Sequence, residues 1–303
     1  MSYEHVNHVF LYHAYALALG GWVKSGGRVT PIEGIAPSVL SITGGFGSAS
    51  ARCVNTGVRS KYPFGERGPS DFSVYVGHAY TEVRGVETDG EDAYRTTVRS
   101  VLDDVRINDV LAVEHAEAIL SSTHKKPKDD DTPAPEAEIY IGDSNISGLR
   151  VAGKTVTLTR HDTVDKAPSF GAMQSEIAVH KNELLIGAGK SGAADDSLLD
   201  ELCNSDVPVG TPLFARDLAT MDSKANSHLR YSLYKSADVA TTPGVRAHKS
   251  AIEVDNFGRI FFGEIFASHG TKQVTMFRID LGCDNCGGMG GSGGSTNGST
   301  YPP

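Results

Sequence analysis

Apolar and polar residues alternate with a period of two in several stretches, and this alternation limits the fold more than any other feature of the chain. In residues 72–80 (FSVYVGHAY) the predicted common face carries Phe72, Val74, Val76, His78 and Tyr80. Residues 137–143 and 154–160 repeat the pattern, and Gly, Asp, Asn or Pro bounds each stretch. Such segments are typical of strands joined by turns. The sequence therefore predicts a mainly β protein, built as a stacked-sheet sandwich or a short β-solenoid, with a small helical insertion.

Charge and hydropathy exclude two classes of partner. The net charge of -9 argues against a nucleic-acid surface, because phosphate binding needs clustered Lys and Arg. No continuous apolar run is long enough to span a bilayer as a helix, so no transmembrane segment is expected. The segment 1–23 has Glu4 and three histidines but no Lys or Arg before its apolar part. It is therefore interpreted as a strand rather than a signal peptide.

Changes in composition divide the chain into four parts. Residues 1–166 form a predicted β-rich domain, and 167–250 form an insertion whose segment 195–203 (DDSLLDELC) has helical spacing of leucines. Residues 251–286 are predicted to be closing strands of the same β domain. Residues 287–303 are rich in Gly and Ser and are predicted to be a flexible tail, because they offer little to bury.

Two further connections are predicted within these parts. The charged, proline-containing segment 124–138 is interpreted as an exposed loop. The tripeptide Asn256-Phe257-Gly258 is a candidate hairpin turn between two strands.

The order of the segments resembles the bacterial choice-of-anchor P family. The matching stretches are YHAYALALGG (12–21), APSVLSI (36–42), SASARC (48–53), VLAVEHAEAILSS (110–122), SNISGLRVAGKTV (144–156), GRIFFGEI (258–265) and VTMFRIDLG (274–282). The resemblance covers roughly residues 9–162 and 251–282. It implies a β-rich protein that is secreted or displayed on the cell surface and has no assigned catalytic activity.

From this resemblance we expect a non-catalytic structural or adhesive protein that self-associates or binds other surfaces. Unpaired strand edges offer a physical route to self-association. An extracellular or cell-surface location follows from the resemblance, while a cytoplasmic one stays open because the signal peptide is unconvincing. The alternatives are an extracellular enzyme acting on polysaccharide and an intracellular or phage-type assembly protein.

The residues of the segment 107–123 (INDVLAVEHAEAILSST) are compatible with either a helix or a strand. Its Ala, Glu and Leu are good helix formers, and Glu114, His115 and Glu117 stand together like metal ligands. Strand-like Val105 and Ile107 precede it, so a strand is predicted. In a strand His115 and Glu117 share a face while Glu114 points the opposite way, and the apparent ligand cluster separates.

The cysteine pair Cys283 and Cys286 is the only spacing with distinct chemical meaning. The two thiols could be unpaired, form a local disulfide, or supply half of a metal site, since a closed zinc site needs four ligands. The following Gly-Gly-Met-Gly-Gly disfavours the helix N-terminus that a redox dithiol uses.

Other candidate sites have simpler interpretations. The acid run Asp129–Asp131 is interpreted as a solvated loop, because it lacks the spaced pattern of a calcium loop. The stretch 189–192 (GKSG) is not a phosphate loop, because the required first glycine would fall at Leu184. His13 and His78 are interpreted as partly buried strand residues with satisfied hydrogen bonds. No catalytic residue and no cofactor are predicted.

Overall fold

The computed structural model describes residues 9–25, 28–58, 72–88, 90, 92–126, 136–161, 168–179, 228–268, 271–282 and 286–301. The strands in the first half are β1 (Val9–Ser25), β2 (Arg28–Val39), β3 (Gly45–Val58), β4 (Phe72–Thr88), β5 (Ala93–Ile107), β6 (Leu111–Lys125), β7 (Glu138–Tyr140), β8 (Asn145–Ser147), β9 (Arg150–Val151) and β10 (Lys154–Arg160). After helix α1 (Phe170–Val179) come β11 (His228–Ser232), β12 (Tyr234–Val239), β13 (Val245–His248), β14 (Ala251–Val254), β15 (Gly258–Ser268), β16 (Lys272–Leu281) and β17 (Cys286–Tyr301).

The strands form two antiparallel sheets that pack face to face as a sandwich. Sheet I has the order β13-β14-β15-β16-β17-β1-β2, and β11 also pairs with β15. Sheet II has the order β12-β10-β9-β6-β5-β4-β3, and β7 and β8 also pair with β6. Hydrogen bonds cross between the sheets, for example from Ser292 Oγ to the carbonyl oxygen of Ser100 at 2.7 Å. The predicted mainly β sandwich is confirmed.

Three local predictions are also confirmed. Of the segment 107–123, residues 111–123 lie in strand β6 rather than a helix, because a strand at this position pairs on both sides, with β5 and with β7, β8 and β9. Ile107 instead ends β5, and residues 108–110 form the turn between the two strands. The turn at 256–258 joins β14 to β15 with Val254 opposite Gly258. The first strand begins at Val9.

The Gly-rich segment at the C-terminus is a central strand, so the prediction of a flexible tail is wrong. Strand β17 lies between β1 and β16 in sheet I and pairs with both along most of its length. Its backbone groups are satisfied from both sides, which offsets the high entropy cost of ordering glycine. At Gly294 a Cβ atom would lie 2.7 Å from Val98 Cγ2 of sheet II. The missing side chains therefore let the two sheets approach each other.

The predicted insertion 167–250 also contributes to both sheets. Within it β11 pairs with β15 of sheet I, and β12 pairs with β10 of sheet II. The closing strands thus begin before the predicted boundary at 251. Among the described residues, the helix of this segment is α1. The predicted helix at 195–203 lies outside the described residues. The segment 124–138 was predicted to be entirely loop, but β6 extends to Lys125.

A row of interrupted pairing, which we call the crease, crosses each sheet. In sheet II it runs through Cys53, Gly77, Asp104 and Glu114, and in sheet I through Ala36, Ala18, Ser292, Met276 and Gly263. Alternate members have positive φ: 51° at Cys53, 49° at Asp104, 48° at Ala36, 50° at Ser292 and 64° at Gly263. Each crease moves the buried positions of a strand by one residue.

Because of the crease, residues 72–80 do not share one face, and the prediction of a common face is wrong. Phe72, Val74 and Val76 point into the sandwich, but after Gly77 the buried residues are Ala79 and those that follow it at alternate positions. His78 and Tyr80 therefore lie on the opposite, outer face. A strict period of two cannot predict this change, because one left-handed residue in a neighbouring strand shifts the register of side chains.

Candidate functional site

The outer face of sheet II carries a cross-strand group of titratable side chains at the crease. His78 on β4, Asp103 on β5 and His115 on β6 are direct neighbours in register. Asp103 Oδ2 lies 3.0 Å from His78 Nδ1, and Asp103 Oδ1 lies 2.7 Å from His115 Nδ1. A carboxylate only accepts hydrogen bonds, so both imidazoles donate from Nδ1. The Asp103 carboxylate therefore fixes the orientation of both imidazole rings on the outer face of the sheet.

Burial and hydrogen bonding have opposite effects on the pKa of Asp103. Partial burial raises the pKa of this carboxyl, but hydrogen bonds from His115 and His78 lower it, and the net pKa is below its ordinary value. Asp103 is consequently charged at neutral pH.

Ion pairs extend this group along the outer face. Arg99 Nε donates to Glu117 Oε1 at 2.6 Å, and Glu117 Oε2 lies 3.6 Å from His115 Nε2. The hydrogen bond with Glu117 raises the pKa of Arg99. We call His78, Asp103, His115, Glu117 and Arg99 the imidazole–carboxylate row. Sequence reasoning named three of its members but not Asp103 or Arg99, whose role depends on cross-strand register.

The arrangement pairs opposite charges across three neighbouring strands. In the part of the chain that the structure describes, no three His, Cys, Asp or Glu side chains are grouped so that they could hold a metal ion. His115 and Glu117 share the outer face, as predicted. Glu114 lies at the crease, its side chain is 72% exposed, and it faces Arg150 at 3.9 Å. The expectation that Glu114 points into the opposite face is therefore wrong, because the crease shifts it outward.

The two predicted strand histidines differ. His78 is half-buried and has the expected hydrogen bond, to Asp103. His13 on β1 is exposed on the outer face of sheet I, and its ring has no hydrogen-bond partner among the described residues. The prediction for His13 is wrong because β1 alternates inward at Tyr12 and Ala14 instead.

The remaining predicted sites lie wholly or partly outside the described residues. Cys283 is outside them, and of Cys286 only the backbone is described, at the start of β17 opposite Lys24. Their pairing as a disulfide or half a metal site stays a prediction. Asp129–Asp131 and the stretch 189–192 also lie outside the described part. Cys53 on β3 is a free, exposed thiol.

Strand β3 is an open edge of sheet II. It pairs with β4 on one side, and no described strand pairs with its other side. Its 14 residues (GFGSASARCVNTGV) contain no proline and a single charged residue, Arg52. The edge strand of sheet I, β2, contains Pro31 and Pro37. Proline and charge are the usual means of blocking an edge, so β3 lacks the protection that β2 has.

An apolar patch adjoins this edge. Phe46 on β3 is 63% exposed, and Val39 at the end of β2 and Ile42 in the following turn are also exposed. We refer to β3 together with Val39 and Ile42 as the β3 edge. Sequence reasoning missed Phe46, although a phenylalanine between two glycines in an alternating stretch was a visible signal.

The two creased antiparallel sheets and the open β3 edge define the class as an antiparallel β-sandwich protein. The chain belongs to the family described as Domain of unknown function (DUF8256), whose model matches residues 10–268. No curated protein and no solved structure matches the chain. Among the described residues, no helix has the length and apolar character needed to cross a membrane.

Proposed function

We propose that this protein is a non-catalytic structural or adhesive protein, extracellular or displayed on the cell surface, that self-associates through the β3 edge. The observation that carries the proposal is the 14-residue strand β3, whose outer side pairs with no described strand. The resemblance to the choice-of-anchor P family, in stretches that include SASARC at 48–53 of β3 itself, supports the same class of role.

An unpaired strand edge is a template for another strand, because its free N–H and C=O groups can continue the ladder. The β3 edge adds exposed Phe46, Val39 and Ile42, which would be removed from water on pairing. Aromatic residues next to a newly formed ladder commonly supply much of the binding free energy.

The proposed partner is a second copy of the same chain. Antiparallel pairing of β3 with its own copy is isologous, so each copy would contribute the same row of small, neutral side chains. Arg52 is the single charged side chain on the strand. Self-pairing therefore brings little like-charge repulsion at the interface, even though the chain carries a net charge of -9.

No observation favours the alternative of polysaccharide hydrolysis. Glycosidases place two carboxyl groups across a cleft, about 5–10 Å apart. Among the described residues, a depression on the outer face of sheet I, next to His13 and Asn297, is lined by no carboxylate. Fractionation of cells carrying the native gene would separate the proposed surface location from that of an intracellular assembly protein.

Replacement of Phe46 by glutamate should weaken self-association, because a charge at the edge opposes strand pairing and the apolar anchor is lost. We expect the dissociation constant to rise at least about tenfold. Size-exclusion chromatography with light scattering over a range of concentrations measures it. The matched control is Tyr140→Glu, which changes an aromatic side chain of similar exposure (57%, against 63% for Phe46) on β7.

Thermal unfolding of both variants verifies that they fold. A wild-type protein that stays monomeric at high concentration would refute the proposal. Equal effects of Phe46→Glu and Tyr140→Glu would show that association uses another surface.

A further inference from the structure

The outer face of sheet I has a depression with a volume of about 340 Å³. Its floor is β17, where small outward-facing residues leave room above the sheet. Cross-strand pairing sets His13 opposite Asn297 and Tyr15 opposite Ser295. The depression is lined by His13, Ala14, Tyr15, Thr271, Ser295 and Asn297.

The lining has hydrogen-bonding capacity that the described part of the chain does not use. The side chains of His13, Tyr15, Ser295 and Asn297 have no hydrogen-bond partner among the described residues. Together they supply an imidazole, a phenol, a hydroxyl and an amide, which include both donors and acceptors. Thr271 adds a second hydroxyl at the rim.

The depression is neutral. In the described part of the chain, its lining includes no Lys, Arg, Asp or Glu. Burial raises the pKa of Tyr15, so the phenol keeps its proton and stays uncharged at neutral pH. Among the described lining residues, no Lys, Arg, Asp or Glu is present to balance the charge of an ionic ligand, so a neutral ligand is favoured.

Tyr15 gives the depression an aromatic surface as well. The side chain is 42% exposed on the same outer face as the polar groups. A ring face next to mixed neutral donors and acceptors matches a molecule with an apolar C–H face and a rim of hydroxyl groups. A pocket of a few hundred Å³ is large enough for a small ligand or for one unit of a chain.

We propose that this depression binds a neutral saccharide, with Tyr15 stacked on a sugar ring and Asn297, His13 and Ser295 bonded to its hydroxyl groups. This inference goes beyond self-association, because the depression lies on β1 and β17 of sheet I, whereas the strand that would pair with a second copy, β3, belongs to sheet II. Val39 of the β3 edge is the register neighbour of Tyr15, and for this reason the variants that test self-association and saccharide binding change Phe46 and Tyr15 and leave Val39 in place. Either proposal can fail without the other, since one is measured by oligomeric state and the other by ligand binding.

The test is titration of the full chain with neutral hexasaccharides of glucose, mannose, galactose and N-acetylglucosamine, up to about 10 mM, followed by calorimetry and by NMR of the Tyr and His rings. We expect at least one to bind and to shift the resonances of His13 and Tyr15. Tyr15→Ala and Asn297→Ala should each weaken that binding about tenfold, whereas Tyr15→Phe, which keeps the ring, should stay within about threefold.

The control is Tyr140→Ala, which removes an exposed aromatic side chain from β7 of sheet II. Thermal unfolding shows that each variant is folded. Absence of binding by all four saccharides would overturn the proposal. Binding that Tyr15→Ala leaves unchanged would also overturn it, because the sugar would then occupy another surface.

Discussion

Single left-handed residues decide which side chains reach the solvent. Cys53 and Asp104 have φ near 50° on two strands that flank β4. A non-glycine residue in this region costs on the order of 1 kcal/mol, so it persists only where its surroundings hold it. Because the ladder resumes on both sides of the crease, regular pairing compensates the cost. The shift brings His78 to the outer face beside Asp103.

His124, near the end of β6, is a residue where burial predicts a pH dependence. Its ring packs against Phe10 with centroids 5.1 Å apart. Burial, and secondarily the nearby charge of Lys272, lowers the pKa of His124 from 6.5 to about 4. The folded state therefore keeps this ring neutral where the unfolded state binds a proton.

The free energy of unfolding should accordingly fall as the pH decreases from about 6.5 to about 4, by about 3 kcal/mol from this residue. The His124 contribution is fully present above pH 6.5 and is lost across that window, while Asp103, whose pKa is lowered, acts only at more acidic pH. Urea unfolding at a series of pH values measures the effect. His124→Phe should flatten this part of the profile, and an unchanged slope in that variant would assign the dependence to other groups.

At the scale of elements, β17 shows how a strand can consist mainly of glycine and still be central. Its inward positions face β5 of the opposite sheet, and Thr96 Oγ1 of β5 donates to the carbonyl oxygen of Asn297 at 3.3 Å. A side chain at Gly294 would collide with Val98. The strand's stability thus comes from backbone pairing and from close approach of the sheets.

Gly294→Ala should destabilise the fold by about 1–3 kcal/mol, because the added methyl group would overpack the space against Val98. Gly290→Ala is the matched control on the same strand, since its Cβ would make an ordinary contact, 3.5 Å from Thr275 Cγ2. Chemical denaturation of the two variants measures the difference. Val98→Ala combined with Gly294→Ala should restore part of the loss, and an absence of any rescue would argue against the steric explanation.

At the scale of the whole molecule, β17, from the C-terminal part of the sequence, pairs with β1, from the N-terminal part. It stands between β1, the first strand, and β16, with Val9 opposite Tyr301 and Leu281 opposite Gly287. Without it, β1 and β2 would lose their connection to the rest of sheet I.

Deletion of residues 286–303 should therefore abolish cooperative folding, in contrast to the small effect expected of a flexible tail. Circular dichroism with thermal unfolding tests this outcome. A peptide with residues 286–301, added in trans, should restore the fold by supplying the missing strand. A truncated chain that unfolds cooperatively at the temperature of the full chain would show that β17 is dispensable.

Local patterns were sufficient for the class of the fold and for several elements. Alternation around Val74 and Val76 predicted a strand, and the Asn256-Phe257-Gly258 turn predicted a hairpin, because both depend on neighbours in the chain. The strand at 111–125 needed more than propensity, since its Ala, Glu and Leu favour a helix and pairing overrides them.

Tertiary structure alone decided which segments are central and which faces are exposed. The Gly-rich segment at 286–301 has no side-chain pattern of its own, and its place depends on pairing with Val9–Ser25 at the other end of the sequence. The imidazole–carboxylate row likewise depends on the register of three strands and on a crease set by residues in adjacent strands. Strand pairing between distant segments is non-local, so the residues of one segment do not encode its partner or its outward face.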